Sequence, residues 1–439
     1  MKTSKKVFGI LIFAAIAVIS IAAQNALKSP TPSAEVKDIK KLLETVRSSG
    51  VPQVFPSDQT RYAGTMKGIF YKGAPYKGKK TRVFAWYGIP ELKPGKKCPA
   101  MVLVHGGGGT AYEYWVKRWN NKGFAAIAID TGGRIPRRND KKVKIGFHDN
   151  PGPDKDKIFV LEGNDIQDQW SYHGVADVIL ANSLIRSFPG VDPERVGVTG
   201  ISVGAYLACI AASVDDRFKC CVPVYGCGFW NEGPPWAAKL QALGNNGQKW
   251  LDMWDVSLYL KDIKIPMLWV SFVNDKNFPL PALQKSYSLP KGKQTLCIRS
   301  DWTHSHWQGM KVGEIAAFAE SVLDNGKPLA EVLEQGRNGS EAWLTFASQV
   351  PVVKAVFNYT TDSGVWKTRR WKAFKAKLDP VKNRVTAAIP GGTTVYYIHL
   401  FDERKLIVSA PHVELPLSEL PFFSHMIKYH CDQSKKSTP

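Results

Sequence analysis

One pentapeptide, Gly200-Ile201-Ser202-Val203-Gly204, constrains the fold more than any other stretch of this chain. Residues 196–199 before it predict a short buried strand, and residues 203–212, rich in small apolar side chains, predict a helix. A serine at such a junction is forced into a strained backbone conformation. A glycine two residues to either side removes the Cβ atoms that would collide there. The hydroxyl then stands above the sheet, and the N–H of Val203, at a helix N-terminus, points into the same space. A pentapeptide with three defined positions recurs by chance, so its weight depends on partner groups following in order.

Apolar, strand-like runs at 99–105, 124–130, 220–225, 265–273 and 295–299 alternate with helical stretches at 111–121, 170–187 and 312–323. An earlier strand is expected at 81–90 and a short amphipathic helix at 36–46. The alternation predicts a mostly parallel α/β sheet flanked by helices, with ligands at the C-terminal ends of its strands. Residues 131–165 lack periodicity and are expected to form a long loop near the site. Residues 230–261 read as a tryptophan-rich insertion that caps a cleft. Beyond residue 326 the pattern changes to short β-rich runs (352–359, 385–389, 394–400, 406–409) between Gly, Asp and Asn turns, which predicts a small antiparallel β-sandwich.

Acyl transfer through a serine needs a base for its proton, an acid to orient that base, and N–H donors for the oxyanion. Each has a candidate at a strand's C-terminal end. Ser202 is the nucleophile, Asp275 follows the 265–273 strand, and His304 or His306 follows the 295–299 strand, with His304 preferred. The order Ser, Asp, His is that of an α/β-hydrolase. The run His105-Gly106-Gly107-Gly108-Gly109-Thr110 follows the 99–105 strand, where glycines let backbone N–H groups approach a ligand oxygen. It lacks the Lys and Ser/Thr of a phosphate-binding loop. The expected oxyanion donors are the N–H groups of Gly107 and Val203, and His105, Gly106, Trp115, Tyr225 and Trp307 are expected around the substrate pocket, with His105 also read as a backbone-bonded support of the glycine loop. No metal or cofactor is called for: the seven cysteines show no zinc-like spacing, and Cys209, Cys220 and Cys221 lie in core-like runs.

The first residues have the form of an export signal: Lys2, Lys5 and Lys6, then an apolar run at 7–21, then Ala22 and Ala23. A secreted or periplasmic protein is expected, with no membrane attachment after cleavage. The formal net charge of +21 includes the three leader lysines. No nucleic-acid-binding signature accompanies it, so the charge is read first as a solvated surface and otherwise as affinity for acidic polysaccharide or an anionic cell envelope. Fourteen tryptophans, and the basic stretch 367–384 interleaved with Trp371 and Phe374, fit contact with sugar polymers.

The glycine loop with its continuation to Trp119, the serine elbow, and His304-Ser305-His306 together resemble the α/β-hydrolase superfamily. The resemblance is to its dienelactone-hydrolase and prolyl-oligopeptidase-like branch, and within it to exported bacterial acetyl xylan esterase-like proteins. Dienelactone hydrolases proper carry cysteine where Ser202 stands, so lactone opening is disfavoured. The organisation expected is a leader (1–23), an N-terminal extension (24–59), an α/β-hydrolase domain (60–325), a C-terminal β-sandwich (326–425) and a basic tail (426–439), with the resemblance carried by the hydrolase domain and the small sandwich after it. The resemblance implies a metal-independent serine esterase acting on an acylated oligo- or polysaccharide. Two alternatives are a prolyl-oligopeptidase-like peptidase, against which stands the missing propeller domain, and a polysaccharide-binding protein with a vestigial hydrolase domain.

Overall fold

The computed structural model describes residues 26–416 except 63, 140, 141, 162 and 164. The expected leader, the basic tail and Cys431 lie outside the described residues. Helix α1 (Glu35–Ser48) is followed by a meander of three antiparallel strands, β1 (Val54–Arg61), β2 (Met66–Lys72) and β3 (Arg82–Gly88). Next come β4 (Cys98–Val104), α2 (Glu113–Asn120), β5 (Ala125–Ile129), a hairpin of β6 (Arg134–Asn139) and β7 (Lys142–Phe147), and α3 (Trp170–Arg186). The remaining hydrolase elements are β8 (Val191–Ile201), α4 (Val203–Val214), β9 (Cys220–Val224), α5 (Pro234–Ala242), α6 (Asn245–Trp254), β10 (Met267–Phe272), α7 (Leu280–Tyr287), β11 (Gln294–Arg299) and α8 (Gly313–Leu323).

Apart from the β6–β7 hairpin, which pairs only with itself, these strands form one nine-stranded sheet in the order β1-β2-β3-β5-β4-β8-β9-β10-β11. From β5 to β11 every neighbour is parallel, and β3 joins β5 antiparallel. Every residue of β4, β5, β9 and β10 is buried. A parallel strand with helices over both faces has no solvent side, so it reads as a continuous apolar run rather than as an alternation. Helices α1, α3 and α4 pack on one face around Ile39, Val175 and Leu207, and α2 and α8 cover the other around Trp119, Ile315 and Phe318. The mostly parallel α/β sheet flanked by helices expected from the sequence is the one observed.

Two antiparallel sheets follow α8. One is β12 (Glu331–Asn338), β13 (Glu341–Ala347), β17 (Arg384–Ala388) and β16 (Lys377–Asp379) in that order. The other runs β15 (Lys372–Lys375), β14 (Val352–Thr360), β18 (Val395–Asp402), β19 (Ile407–Ser409), with β20 (Val413–Glu414) also pairing β18. Leu344, Phe346 and Val385 of the first share one buried cluster with Phe357, Ile398 and Leu400 of the second, the arrangement of a sandwich. That cluster continues into Ile315 and Phe318 beneath the large sheet, so the two parts share a core. Polar links cross the same seam. Ile298 N–H donates to Ser409 Oγ (2.8 Å), the His399 ring donates to the Ile298 carbonyl (2.7 Å), and Ile407 N–H donates to Glu314 Oε1 (2.8 Å).

Three features depart from expectation. Strands β1 and β2 precede the first strand read from the sequence, β12 and β13 lie within the expected sandwich region but ahead of its first named run at 352–359, and the 131–165 loop contains the β6–β7 hairpin. All six described cysteines are buried and unpaired. Among the described residues no helix is long and apolar enough to cross a membrane.

Candidate active site

Ser202 sits between the last residue of β8 and the first of α4 at φ 58°, ψ −118°, a conformation that non-glycine residues rarely adopt. The flanking glycines make this turn possible. A Cβ on Gly200 would lie 2.1 Å from the Gly204 carbonyl oxygen, and one on Gly204 would lie 2.2 Å from that of Val104. Ser202 N–H donates to the Val224 carbonyl (2.7 Å), tying the elbow to the neighbouring strand. The backbone strain therefore sits at the residue that must present its hydroxyl.

Asp275 lies just beyond β10 and is fully buried. Its Oδ2 meets His304 Nδ1 at 3.0 Å, and its Oδ1 accepts the Asn277 N–H at 2.8 Å. Both carboxylate oxygens are thus directed, and Nδ1 of His304 is engaged so that Nε2 is the nitrogen left for proton transfer. The His304 ring lies 5.1 Å from that of Tyr225 and 6.3 Å from that of Phe278, centroid to centroid. Burial, then the nearby Asp275 charge, pushes the Tyr225 phenol upward, which keeps it neutral.

His306 is placed differently. Its Nε2 accepts the Gly106 N–H at 2.7 Å, and burial, together with its two histidine neighbours His105 and His304, lowers its pKa to about 3. His304, not His306, is hydrogen-bonded to the buried acid. His105 is also withdrawn from the cleft. Its Nδ1 donates to the Gly106 carbonyl (2.7 Å), its Nε2 accepts the Thr131 N–H (3.1 Å), and burial holds its pKa below the usual histidine value. Asp130, at the end of β5, braces the same loop by accepting from Thr110 Oγ1 (2.8 Å) and from the N–H groups of Gly132 and Arg134.

A cleft of about 770 Å³ opens over Ser202 and His304. Gly107, Gly108 and Val203 form one wall, Ile158 and Phe159 of the 131–165 segment another, and Trp236, Lys239 and Leu243 of the insertion a third. Four of the expected pocket residues are placed otherwise. Trp115 is buried in α2 against the opposite face of the sheet, because the helix turns that side inward. Trp307 is 57% exposed and carries Lys311 Nζ 3.5 Å over its ring. His105 and Gly106 lie behind the glycine loop, whereas Tyr225 reaches the site through its contact with His304. Phe159, Trp236 and Lys239 carry no signal of their own in the sequence; Phe159 lies in the 131–165 loop expected near the site, and Trp236 and Lys239 in the tryptophan-rich 230–261 insertion expected to cap it. Asn274 was also missed as a structural link. Its Nδ2 donates to the carbonyls of Trp366, Lys367 and Arg369 at 3.0, 2.9 and 2.9 Å, which joins the residue before Asp275 to the sandwich.

A sheet of this topology, with a strained serine on its elbow and an Asp–His pair over the same cleft, defines an α/β-hydrolase. Within that class, residues 57–229 match the acetyl xylan esterase (AXE1) family. The chain is 26% identical over 190 residues to the alpha/beta hydrolase psoB of Aspergillus fumigatus, a match spanning 40% of this chain and 37% of that protein. Its fold is similar to the acetyl xylan esterase from Paenibacillus sp. R4 (TM-score 0.53, 20% identity, 68% of this chain and 98% of that one). Acetyl xylan esterase 1 from Thermoanaerobacterium sp. JW/SL YS485 gives a TM-score of 0.49 at 18% identity, covering 65% of this chain and 95% of that one. The structural likeness shows an α/β-hydrolase fold, and the family match lies on residues 57–229, the part of the chain that carries the glycine loop and the serine elbow.

Proposed function

We propose that this protein is an exported serine carboxylesterase that removes acetyl groups from an acylated oligo- or polysaccharide. The single observation that carries the reading is the meeting of a strained elbow serine and an Asp275–His304 pair at one cleft. In the proposed cycle His304 Nε2 takes the Ser202 proton as Oγ attacks the acetyl carbonyl. The Gly107 and Val203 N–H groups receive the oxyanion, and Asp275 stabilises the imidazolium. Collapse of the tetrahedral intermediate breaks the ester C–O bond, and His304 passes its proton to the departing sugar hydroxyl. Water then repeats the sequence on the acetyl-enzyme, releasing acetate and restoring Ser202.

The sugar polymer is supported by the family match, by the open cleft bordered by Trp236 and Phe159, and by the basic surface, which suits an acidic polysaccharide. Export is supported by the Lys2/Lys5/Lys6 segment and the apolar run after it. The test is acetate release from acetylated xylan and from an aryl acetate by the parent protein and by Ser202→Ala. Both activities are expected in the parent and neither in the variant. Turnover that survives Ser202→Ala refutes the serine mechanism, and hydrolysis of the aryl ester alone refutes the polymer.

A further inference from the structure

Two histidines that stay out of the cleft hold opposite sides of one glycine. His105 Nδ1–H donates to the Gly106 carbonyl, and Gly106 N–H donates to His306 Nε2, each at 2.7 Å. The Gly106 carbonyl and the Gly107 N–H belong to one planar trans peptide, so they point in opposite directions. Drawing the carbonyl back toward His105 turns the Gly107 N–H the other way, and Gly107 lines the cleft beside Ser202 and Val203.

The loop has no slack. A Cβ on Gly106 would come within 2.8 Å of the Ile201 carbonyl oxygen and 3.1 Å of Ser202 Cβ, and one on Gly109 would come within 2.7 Å of His306 Nε2. The loop is thus packed between the nucleophile's own backbone and the His306 ring, which in turn meets Tyr112 at 5.3 Å. Its orientation depends on two imidazoles of defined tautomer. Thr131 N–H occupies Nε2 of His105, leaving the proton on Nδ1. His306 must keep Nε2 as a lone pair.

We propose that His306 is a positioning residue for the oxyanion donor: its Nε2 anchors Gly106, opposite His105, so that the Gly107 N–H is aimed at the oxygen on which charge develops. The assignment rests on the serine-esterase reading above. A ring that remains neutral well into the acid range keeps that lone pair available to the Gly106 N–H there.

The distinguishing comparison is His306→Phe, which keeps a ring and removes the acceptor, against His306→Gln, whose side-chain oxygen can take the place of Nε2. Aryl acetate hydrolysis by the Phe variant should show kcat lower by about 10- to 100-fold, the scale of a small misplacement of a catalytic group. KM should change little. Affinity for a trifluoromethyl ketone, which forms an oxyanion in the site, should fall in parallel with kcat/KM, and the Gln variant should recover most of both. Equal losses in Phe and Gln, or a Phe variant at the parent rate, would overturn the proposal.

Should the Phe variant fail to fold, ¹⁵N NMR of histidine-labelled parent protein provides the same decision. An unprotonated His306 Nε2 coupled to the Gly106 N–H at neutral pH is expected, and a protonated Nε2 overturns the assignment. Ser202→Ala in the same series separates the two readings. Activity surviving that change removes the serine mechanism, whereas its loss beside an unimpaired His306→Phe removes only the role given to His306.

Discussion

Asp275→Asn tests the arrangement of the site most directly, because it keeps the size and shape of the side chain and removes only its charge. The carboxylate is fully buried, and Oδ2 lies 3.0 Å from His304 Nδ1, which places the centres of charge about 4 Å apart once His304 is protonated. At an effective dielectric constant of about 20, unit charges at that separation attract by about 4 kcal/mol. At about 1.4 kcal/mol per factor of ten, this corresponds to roughly 10³ in rate, because the imidazolium exists only as the transition state is approached. An asparagine can also turn its NH₂ toward His304. That favours the tautomer with the proton on Nε2, where the serine proton must go, and raises the expected loss toward about 10⁴.

The assay is kcat/KM for an aryl acetate, measured beside the thermal midpoint of each variant. Asn277 N–H can still donate to the amide oxygen at position 275, so the variant should fold, and the loss should appear in kcat. A drop smaller than tenfold, with His304→Ala inactive, would show that His304 works without an orienting carboxylate and would refute the electrostatic reasoning.

Two further outcomes follow from the seam between the large sheet and the sandwich. Asn274→Ala removes the two amide N–H donors shared among three carbonyls of the 366–369 turn and should cost roughly 1–3 kcal/mol of stability. It should also speed amide exchange at residues 364–372 while leaving the Asp275–His304 contact in place, and unchanged exchange there would remove its bridging role. His399 bears on pH. Burial lowers its pKa to about 4, so below about 6.5 the unfolded chain takes up a proton that the folded chain refuses. Its contribution is therefore present above pH 6.5 and is lost as pH falls toward 4. His399→Gln, which keeps a donor for the Ile298 carbonyl, should gain on the parent by about 1.4 kcal/mol per pH unit across that window in chemical denaturation. A pH-independent difference would contradict it.

What could be read from the chain before its structure follows physical lines. The parallel strands were legible because burial on both faces leaves an uninterrupted apolar run, as in Ala125–Ile129. Strand β1 was not: its residues alternate between exposed and half-buried and include Pro56, Ser57 and Asp58, so it resembles a loop until β2 pairs with it. Strand β12 is similarly half-exposed, and its partner β13 supplies the buried side chains Ala342, Leu344 and Phe346. The hairpin at 134–147 pairs only with itself and leaves no core periodicity to detect.

The candidate site divides along the same line between local and distant causes. Ser202 was legible because its strain is resolved within five residues, by glycines whose missing Cβ atoms the turn requires. Chain order nominated Asp275 and favoured His304 without excluding His306, which lies two residues away in the same loop. Their difference is set from about thirty and two hundred positions away, by Asp275 on one side and the Gly106 N–H on the other. Trp115 and Trp307 illustrate the same limit, since a tryptophan's identity does not tell which side of the sheet its backbone will turn it to. The glycine run, in contrast, pointed to His105 as its support, while nothing in it pointed to His306. A chain that gives up side chains at four successive positions must pack that backbone tightly against something, and its exposed N–H groups must be aimed by neighbours that donate and accept. Gly106 is pressed against Ser202 and Ile201, and an imidazole lies on each side of it. On this reasoning a histidine beside a polyglycine loop is first a candidate for holding the loop, and becomes a candidate base only where a buried carboxylate meets it, as Asp275 meets His304.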